Sequence, residues 1–359
     1  MNVATHSATG KYQWAVPLGK MTALFMLLLI AFIIDVAFGS VSIPLRTVLS
    51  IIVSGRAEND SWIYIIQEIR IPKAITAVIV GCGLPVSGLQ MQTLFRNPLA
   101  GPAELGITAG AGLGVALVML SAGSVTTIYA IKELGISGSW LILLMGSLGA
   151  AFIMFIIIAI SARLRDNVIM LIVGIMIGSI TLSVINIWQF FSAPEQVKDF
   201  LIWTFGSLGG VSGSQLYLLA LVVTLGLVIA FASSKMLDTL LLGELYARSM
   251  GLTVFRARLL IISSTSLLAG SITAFCGPIG FIGIAVPHLA RSLFNTSAHS
   301  TLIPACCLMG TSLMLLCDII AQLPGTNTVL PINVITALVG LPVVIWIIMS
   351  RNNLKNSFR

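Results

Sequence analysis

Charge is what this sequence lacks most. Of its 359 residues only 9% are Asp, Glu, Lys or Arg, where soluble domains carry roughly 25%. So few charges cannot cover a water-facing surface, which excludes a soluble globule. Cysteine is also scarce: the five residues at 82, 276, 306, 307 and 317 show no C-x-x-C spacing. They read as small hydrophobes in apolar spans, without a disulfide framework or metal site. Histidine occurs three times, as His6, His288 and His299. The first and last fall in polar tails or loops, only His288 lies in a span, and no ligand cluster results. No lysine precedes Ser or Thr, so the phosphate-cradling loop G-x-x-x-x-G-K-[ST] is missing. Neither H-E-x-x-H nor G-x-S-x-G occurs, and no carboxylate pair offers general acid and base. The chain reads as no enzyme, and any ATP that drives it is hydrolysed on another polypeptide.

What is there is apolar: 57% of residues are hydrophobic. Uncharged stretches run over 74–95, 105–131, 134–162, 167–194, 200–234, 259–290, 292–317 and 319–350, and about 20 apolar residues cross a bilayer as helix. Breakers divide the longer stretches at Cys276-Gly277-Pro278 and Pro324-Gly325-Thr326-Asn327. Cutting there and at 295–300 predicts an all-α polytopic membrane protein. Its ten spans are 21–38, 74–95, 106–121, 138–162, 167–192, 215–234, 259–275, 279–294, 301–322 and 331–350. The third and eighth are the shortest. The polar excursions 39–73 and 235–258 are too small for a soluble domain. A tail 1–20, a single membrane domain 21–350 and a tail 351–359 are expected.

Ten spans place both termini on one side, and the distribution of basic residues orients them. With the N-terminus inside, inner segments hold Lys11, Lys20, Arg96, Arg163, Arg165, Lys235, Arg248, Arg256, Arg258, Arg291, Arg351, Lys355 and Arg359. Outer segments hold only Arg46, Arg56, Arg70, Lys73, Lys132 and Lys198. The net charge of +7 is therefore an orientation signal, not a nucleic-acid footprint. Residues 21–34 could be read as a signal-peptide core, but the apolar run continues to Phe38 without a convincing cleavage site. A retained first helix is expected.

Three segments carry more than apolarity. In 236–258, Glu244, Ala247 and Gly251 share one face of a short helix that Gly251 would end. This is either a surface helix or an insert for a groove on a partner. Next, Arg70-Ile71-Pro72-Lys73 precedes a span ending in Phe95-Arg96-Asn97-Pro98-Leu99-Ala100-Gly101-Pro102, where prolines and glycine stop the helix and Asn97 can bond the turn. Last, Gly277-Pro278-Ile279-Gly280-Phe281-Ile282-Gly283 leads into Val286-Pro287-His288 and Arg291, with glycines spaced for close helix approach.

At these residues the chain resembles the FecCD-type permeases of bacterial importers for ferric siderophores, haem and vitamin B12. The motifs are R-I-P-K at 70–73, S-G-x-x-M-Q-x-L-F-x-N-P-L-A at 87–100 and L-G-E-x-x-A-x-x-x-G at 242–251. G-x-I-G-F-I-G-x-x-x-P-H-x-x-R at 277–291 and L-P-x-x-x-x-T-A-x-x-G-x-P at 330–342 complete them. Gln92, Asn97, Pro98, Gly280, Gly283, Pro287, His288 and Arg291 belong to this signature. The resemblance implies a type II ABC importer permease fold in the inner membrane, with both termini cytoplasmic. It implies a homodimer, two ABC ATPase subunits carrying ATP and Mg, and a periplasmic substrate-binding protein. No cofactor is expected on this chain.

The resemblance also assigns roles. Gly243, Glu244, Ala247, Arg248 and Gly251 match the ATPase-coupling segment. Arg70 and Lys73 match basic positions that dock the binding protein; alternatively they anchor the span at the interface. Lys73 stands where arginine is commoner and lacks its bidentate fork, and Gln322 replaces a further basic position. The fifth span would line the pathway, with Asn167 and Val168 near the gate and Asn186 and Gln189 near the outer end. Asn186 could equally satisfy neighbouring helices. Asp35 reads as interfacial. Asp318 is either a structural partner or the relay of a proton-coupled secondary transporter, the alternative function. The primary expectation is ATP-driven import of an iron chelate, haem or cobalamin by alternating access.

Overall fold

The computed structural model describes residues 18–349 apart from 40, 42, 56, 58, 122–137, 165, 212 and 323–328. Among these residues every regular element is helical, because a bilayer offers no water to backbone N–H and C=O groups and helices satisfy them internally. In chain order the first five are α1 (Leu18–Ala37), α2 (Leu45–Ser54), α3 (Asp60–Phe95), α4 (Ile107–Met119) and α5 (Gly138–Ser161). Next come α6 (Asn167–Phe191), α7 (Pro194–Thr204), α8 (Gly213–Ala232), α9 (Ser234–Leu241) and α10 (Glu244–Ser249). The last are α11 (Val254–Cys276), α12 (Ile282–Phe294), α13 (His299–Ala321) and α14 (Ile332–Met349).

Seven of these are long and apolar enough to cross a membrane: α1, α3, α5, α6, α8, α11 and α13. Four shorter apolar helices accompany them, α2, α4, α12 and α14, of which the last three fall where the remaining spans are expected. The expected break at Pro324–Asn327 falls outside the described residues.

The two short spans have a common cause. Each of α4 and α12 has 13 residues, about 20 Å at 1.5 Å per residue, less than the hydrocarbon thickness of about 30 Å. Non-helical chain makes up the difference. Before α4, residues 96–106 run back into the bundle until Gly106, at φ 75°, lies against Gly174 and Gly178, two to three turns into α6. Before α12, Gly277 at φ 75° and Phe281 at φ 65° end one helix and start the next. Irregular backbone is tolerated at such depth because protein surrounds it.

The second span begins earlier than 74, the sequence-based boundary. Helix α3 starts at Asp60 and passes through Pro72, because a π-helical turn at Ile65–Arg70 changes the hydrogen-bond register just ahead of the proline. This is also the central helix. Of its most apolar 18 residues 78% are buried, against 17% for α1.

Two prolines explain how α3 packs. Pro85 cannot donate to the Gly81 carbonyl four residues back, and Gly310 of α13 packs onto that carbonyl and the Pro85 ring. Pro287 of α12 likewise frees the Gly283 carbonyl, and Gly88 of α3 packs directly onto it. A Cβ at either glycine would overlap a carbonyl oxygen. Glycine at these crossings lets helix backbones touch, which is how apolar helices gain packing energy in lipid.

Candidate functional site

The signature residues of 87–100 and 277–291, far apart in sequence, form one joint. Gln92 is fully buried on α3; its Oε1 accepts from Arg291 Nη1 at 2.6 Å and its Nε2 donates to Ile284 O at 3.2 Å. His288 Nε2 donates to Pro98 O at 2.7 Å. Asn97 Oδ1 accepts from Leu99 N at 3.0 Å and so shapes the turn after α3. Gly280 N donates to Asn333 Oδ1 at 3.1 Å, tying the break before α12 to the start of α14. These side chains bond to the protein itself, so their arrangement holds α3 to α12 instead of presenting groups to a ligand.

One end of the bundle carries α9 and α10. Lys20 Nζ donates to Leu293 O at 2.7 Å, so the start of α1 lies at this end as well. Gly243 precedes α10 at φ 108° and Gly251 follows it at φ 86°, backbone angles that favour glycine on both sides of a six-residue helix. The helix does not turn its Glu244, Ala247 and Gly251 face outward as one contact surface. Ala247 is fully buried in the chain's own core and Glu244 reaches inward to Arg258 at 2.6 Å. Arg248, four residues on, stays half exposed, 3.7 Å from Glu244. The surface left open is apolar instead: Leu245 is 85% exposed and Leu242, Tyr246 and Met250 are also exposed. Of the three residues spaced along one face, Ala247 is buried, Glu244 is partly buried and Gly251 is exposed.

Arg258 of α11 is buried and gathers several elements. Its Nη1 donates to Leu164 O at 2.7 Å, and its Nη2 donates to Glu244 Oε1 and Asn167 Oδ1, each at 2.6 Å. Asn167 in turn donates from Nδ2 to Leu94 O at 2.8 Å. Thus Asn167 is turned into the protein and pins the first turn of α6, while Val168 beside it is exposed. Asp166 caps the same turn by accepting from Val168 N at 2.7 Å. Farther along α6, Asn186 is exposed and Gln189 partly so.

The opposite end holds Arg70 and Lys73, and neither is a free cation. Arg70 is 7% exposed and donates to Val36 O at 3.0 Å, Ala37 O at 2.8 Å and Val41 O. It thereby caps the C-terminus of α1, where carbonyls lack helical donors. Lys73 Nζ pairs with Asp318 Oδ1 at 2.9 Å, and Gln322 Nε2 donates to Asp318 Oδ2 at 2.9 Å and to Asp35 Oδ1 at 3.1 Å. Asp35, near the end of the first span, is therefore buried within the bundle beside Gln322.

The sequence matches the FecCD transport family over residues 27–350. The chain belongs to the FecCD transport family. Its relatives include the vitamin B12 import system permease protein BtuC of Klebsiella pneumoniae, 35% identical over 327 residues, 91% of this chain and 92% of that one. The BtuC of Escherichia coli O157:H7 strain EC4115 is 34% identical over 297 residues, 82% of this chain and 85% of that one. Among solved structures, an inward-facing conformation of a putative metal-chelate type ABC transporter superimposes with a TM-score of 0.79 at 25% identity, covering 92% of this chain and 99% of that one. As a FecCD permease the chain is the membrane subunit of an ABC importer, not an enzyme, and works with a separate ATPase and a binding protein.

Within this FecCD chain, two buried polar groupings escaped the sequence reading. Arg258 counted only as one inner-side charge, since it sits with Arg256 just ahead of the apolar stretch 259–290 and nothing in that local pattern separates the two. His299 was placed in a loop, yet it is fully buried in the first turn of α13. Its Nδ1 donates to Asp238 Oδ1 at 2.6 Å and its Nε2 lies 2.8 Å from Thr93 Oγ1. This joins α9 to α3 and α13. No local pattern marks such a contact, because its three members are scattered along the chain.

Proposed function

We propose that this chain forms the transmembrane pathway of an importer for a bulky metal chelate, of the class that includes vitamin B12 and ferric siderophores. It works as a homodimer with two ATPase subunits and alternates between outward-open and inward-open states. The α9–α10 end faces the cytoplasm with both termini, and the Arg70 end faces the binding protein. The excess of basic residues on the α10 side supports that orientation.

The observation that carries the reading is the apolar row on α10. Leu245 at 85%, Met250 at 61% and Tyr246 at 53% exposure lie on a segment outside the spans, where lipid does not cover them. Exposed apolar clusters at a polar end of a membrane protein mark a partner surface, and the family's partner at that end is the ATPase. Leu242, Leu245, Tyr246 and Met250 make the contact, joined by Gly243, Arg248 and Gly251 at its rim. Glu244 and Ala247 brace it from behind.

At the other end, Arg70 and Lys73 support docking indirectly, by holding α1, α3 and α13 in place beneath the surface. Val168, Asn186 and Gln189 lie on the open side of α6, the side proposed to meet the pathway. The vitamin B12 imported by the BtuC relatives favours a corrinoid as the first compound to test.

The test is reconstitution of the chain with an ABC ATPase and a substrate-binding protein from the same organism. Uptake of vitamin B12 or a ferric siderophore that requires ATP and both partners is the expected result. Accumulation by the chain alone, driven by a proton gradient, would overturn the reading.

A further inference from the structure

We infer that Arg258 is the positioning residue through which α10 moves α6. The inference rests on the importer reading above and adds the route by which a push from the ATPase reaches the pathway helix.

The geometry narrows that route to one guanidinium. Helix α10 is a six-residue body between Gly243 and Gly251, both at positive φ, so it can tilt without deforming its neighbours. Among the described residues, its buried ion pair to a spanning helix is Glu244 with Arg258, at 2.6 Å with only 4% of the arginine side chain exposed. The same Nη2 is also 2.6 Å from Asn167 Oδ1, and Asn167 is the first residue of α6. One nitrogen therefore serves the first residue of α10 and the first residue of α6 at once.

Helix α6 is suited to respond. Like α1, α5 and α8 it leaves much of its surface uncovered within this chain, and its first turn is pinned by Asn167 to Arg258 and to Leu94 O. Both bonds from Nη2 have a charged donor, and the Glu244 carboxylate adds Coulomb attraction that the neutral Asn167 amide lacks. The guanidinium therefore follows Glu244 in preference to Asn167. When α10 tilts, Arg258 goes with it, and the start of α6 either follows or loses that bond. The Leu164 carbonyl, held at 2.7 Å by Nη1, brings the turn before α6 into the same movement.

The test uses the full chain assembled with its ATPase. Val168→Cys carries an environment-sensitive fluorophore and the probe is a non-hydrolysable ATP analogue with Mg. Val168 is exposed beside Asn167, so its signal reports the start of α6. Nucleotide should shift the signal in the parent complex. In Asn167→Ala the shift should fall about fivefold or more while ATP hydrolysis stays within about twofold, a loss in the usual range of coupling between sites. Arg258→Gln should lose the shift likewise, and Arg258→Lys, which keeps the charge without the fork, should recover part of it.

A merely structural role would lower assembly, hydrolysis and signal together, and that pattern overturns the inference. A full signal in Asn167→Ala overturns it too. Arg258→Gln leaves Glu244 without its buried partner and risks poor folding, and in that case Asn167→Ala alone decides. A parent chain that assembles with no ATPase overturns the importer reading itself, which a normal parent with an indifferent Asn167→Ala does not.

Discussion

Lys73 Nζ lies 2.9 Å from Asp318 Oδ1, with the lysine side chain 17% exposed and the aspartate 2%. This pair connects the two residues to which the sequence offered the most dramatic roles, a docking cation and a proton relay. In the fold they neutralise each other and fasten α3 to α13. Gln322 then carries the contact on to Asp35 of α1.

Breaking that pair from the lysine side should be expensive. Lys73→Met leaves a buried carboxylate without its cation and should lower stability by about 3 kcal/mol. Adding Asp318→Asn should restore much of the loss, since the two residues act as one unit. Thermal unfolding of the purified chain in detergent measures both. ATP-driven uptake by Asp318→Asn should stay close to that of the parent; loss of uptake with intact assembly, together with protonophore sensitivity of the parent, would return the proton-relay reading.

The proline-freed carbonyls make a second forecast. Gly88→Ala and Gly310→Ala each drive a methyl into the neighbouring helix backbone, and overpacking of this kind costs about 1–3 kcal/mol or more. Gly210→Ala, with open space around it, should leave the yield of folded protein unchanged. Size-exclusion profiles of the three variants separate the cases.

At the joint between α3 and α12, charge decides the outcome. Gln92→Leu leaves buried Arg291 without its acceptor and should cost about 2–3 kcal/mol. Gln92→Glu keeps the acceptor and adds the opposite charge for Arg291 but loses the donor to Ile284 O, so it should cost less than Gln92→Leu without matching the parent. Unfolding temperatures in one detergent give the comparison.

The apolar row of α10 should matter to the ATPase and not to folding. Leu245→Glu places a charge where the chain already meets water. Its unfolding temperature should match the parent, while its affinity for the ATPase falls about tenfold or more, as expected of a central contact. Co-purification and a titration with labelled ATPase check both halves. Equal affinity would remove Leu245 from the interface.

How legible the site was follows from the range of each signal. The family motifs grouped Gln92, His288 and Arg291, but their partners were invisible, because each bonds a residue about 190 positions or more away. Helical spacing put Glu244 and Ala247 on one face, as it must. It could not say which face is buried, since that depends on where α11 and the end of α3 lie. The same limit hid His299, whose position next to Ser300 suggested a loop until Asp238 and Thr93 closed around it.

The sequence by itself determined the environment, the ten crossings and the distribution of basic charge, because each follows from local apolarity, length and breakers read one segment at a time. It also carried the family signature. Only the tertiary structure decided which polar residues face one another across helices: Lys73 with Asp318, Arg291 with Gln92, Arg258 with Glu244 and Asn167. In an apolar bundle a buried charge must find a partner, but which one it finds depends on helix rotation and crossing depth. Those are set by glycines packing on proline-freed carbonyls, contacts between residues more than a hundred positions apart.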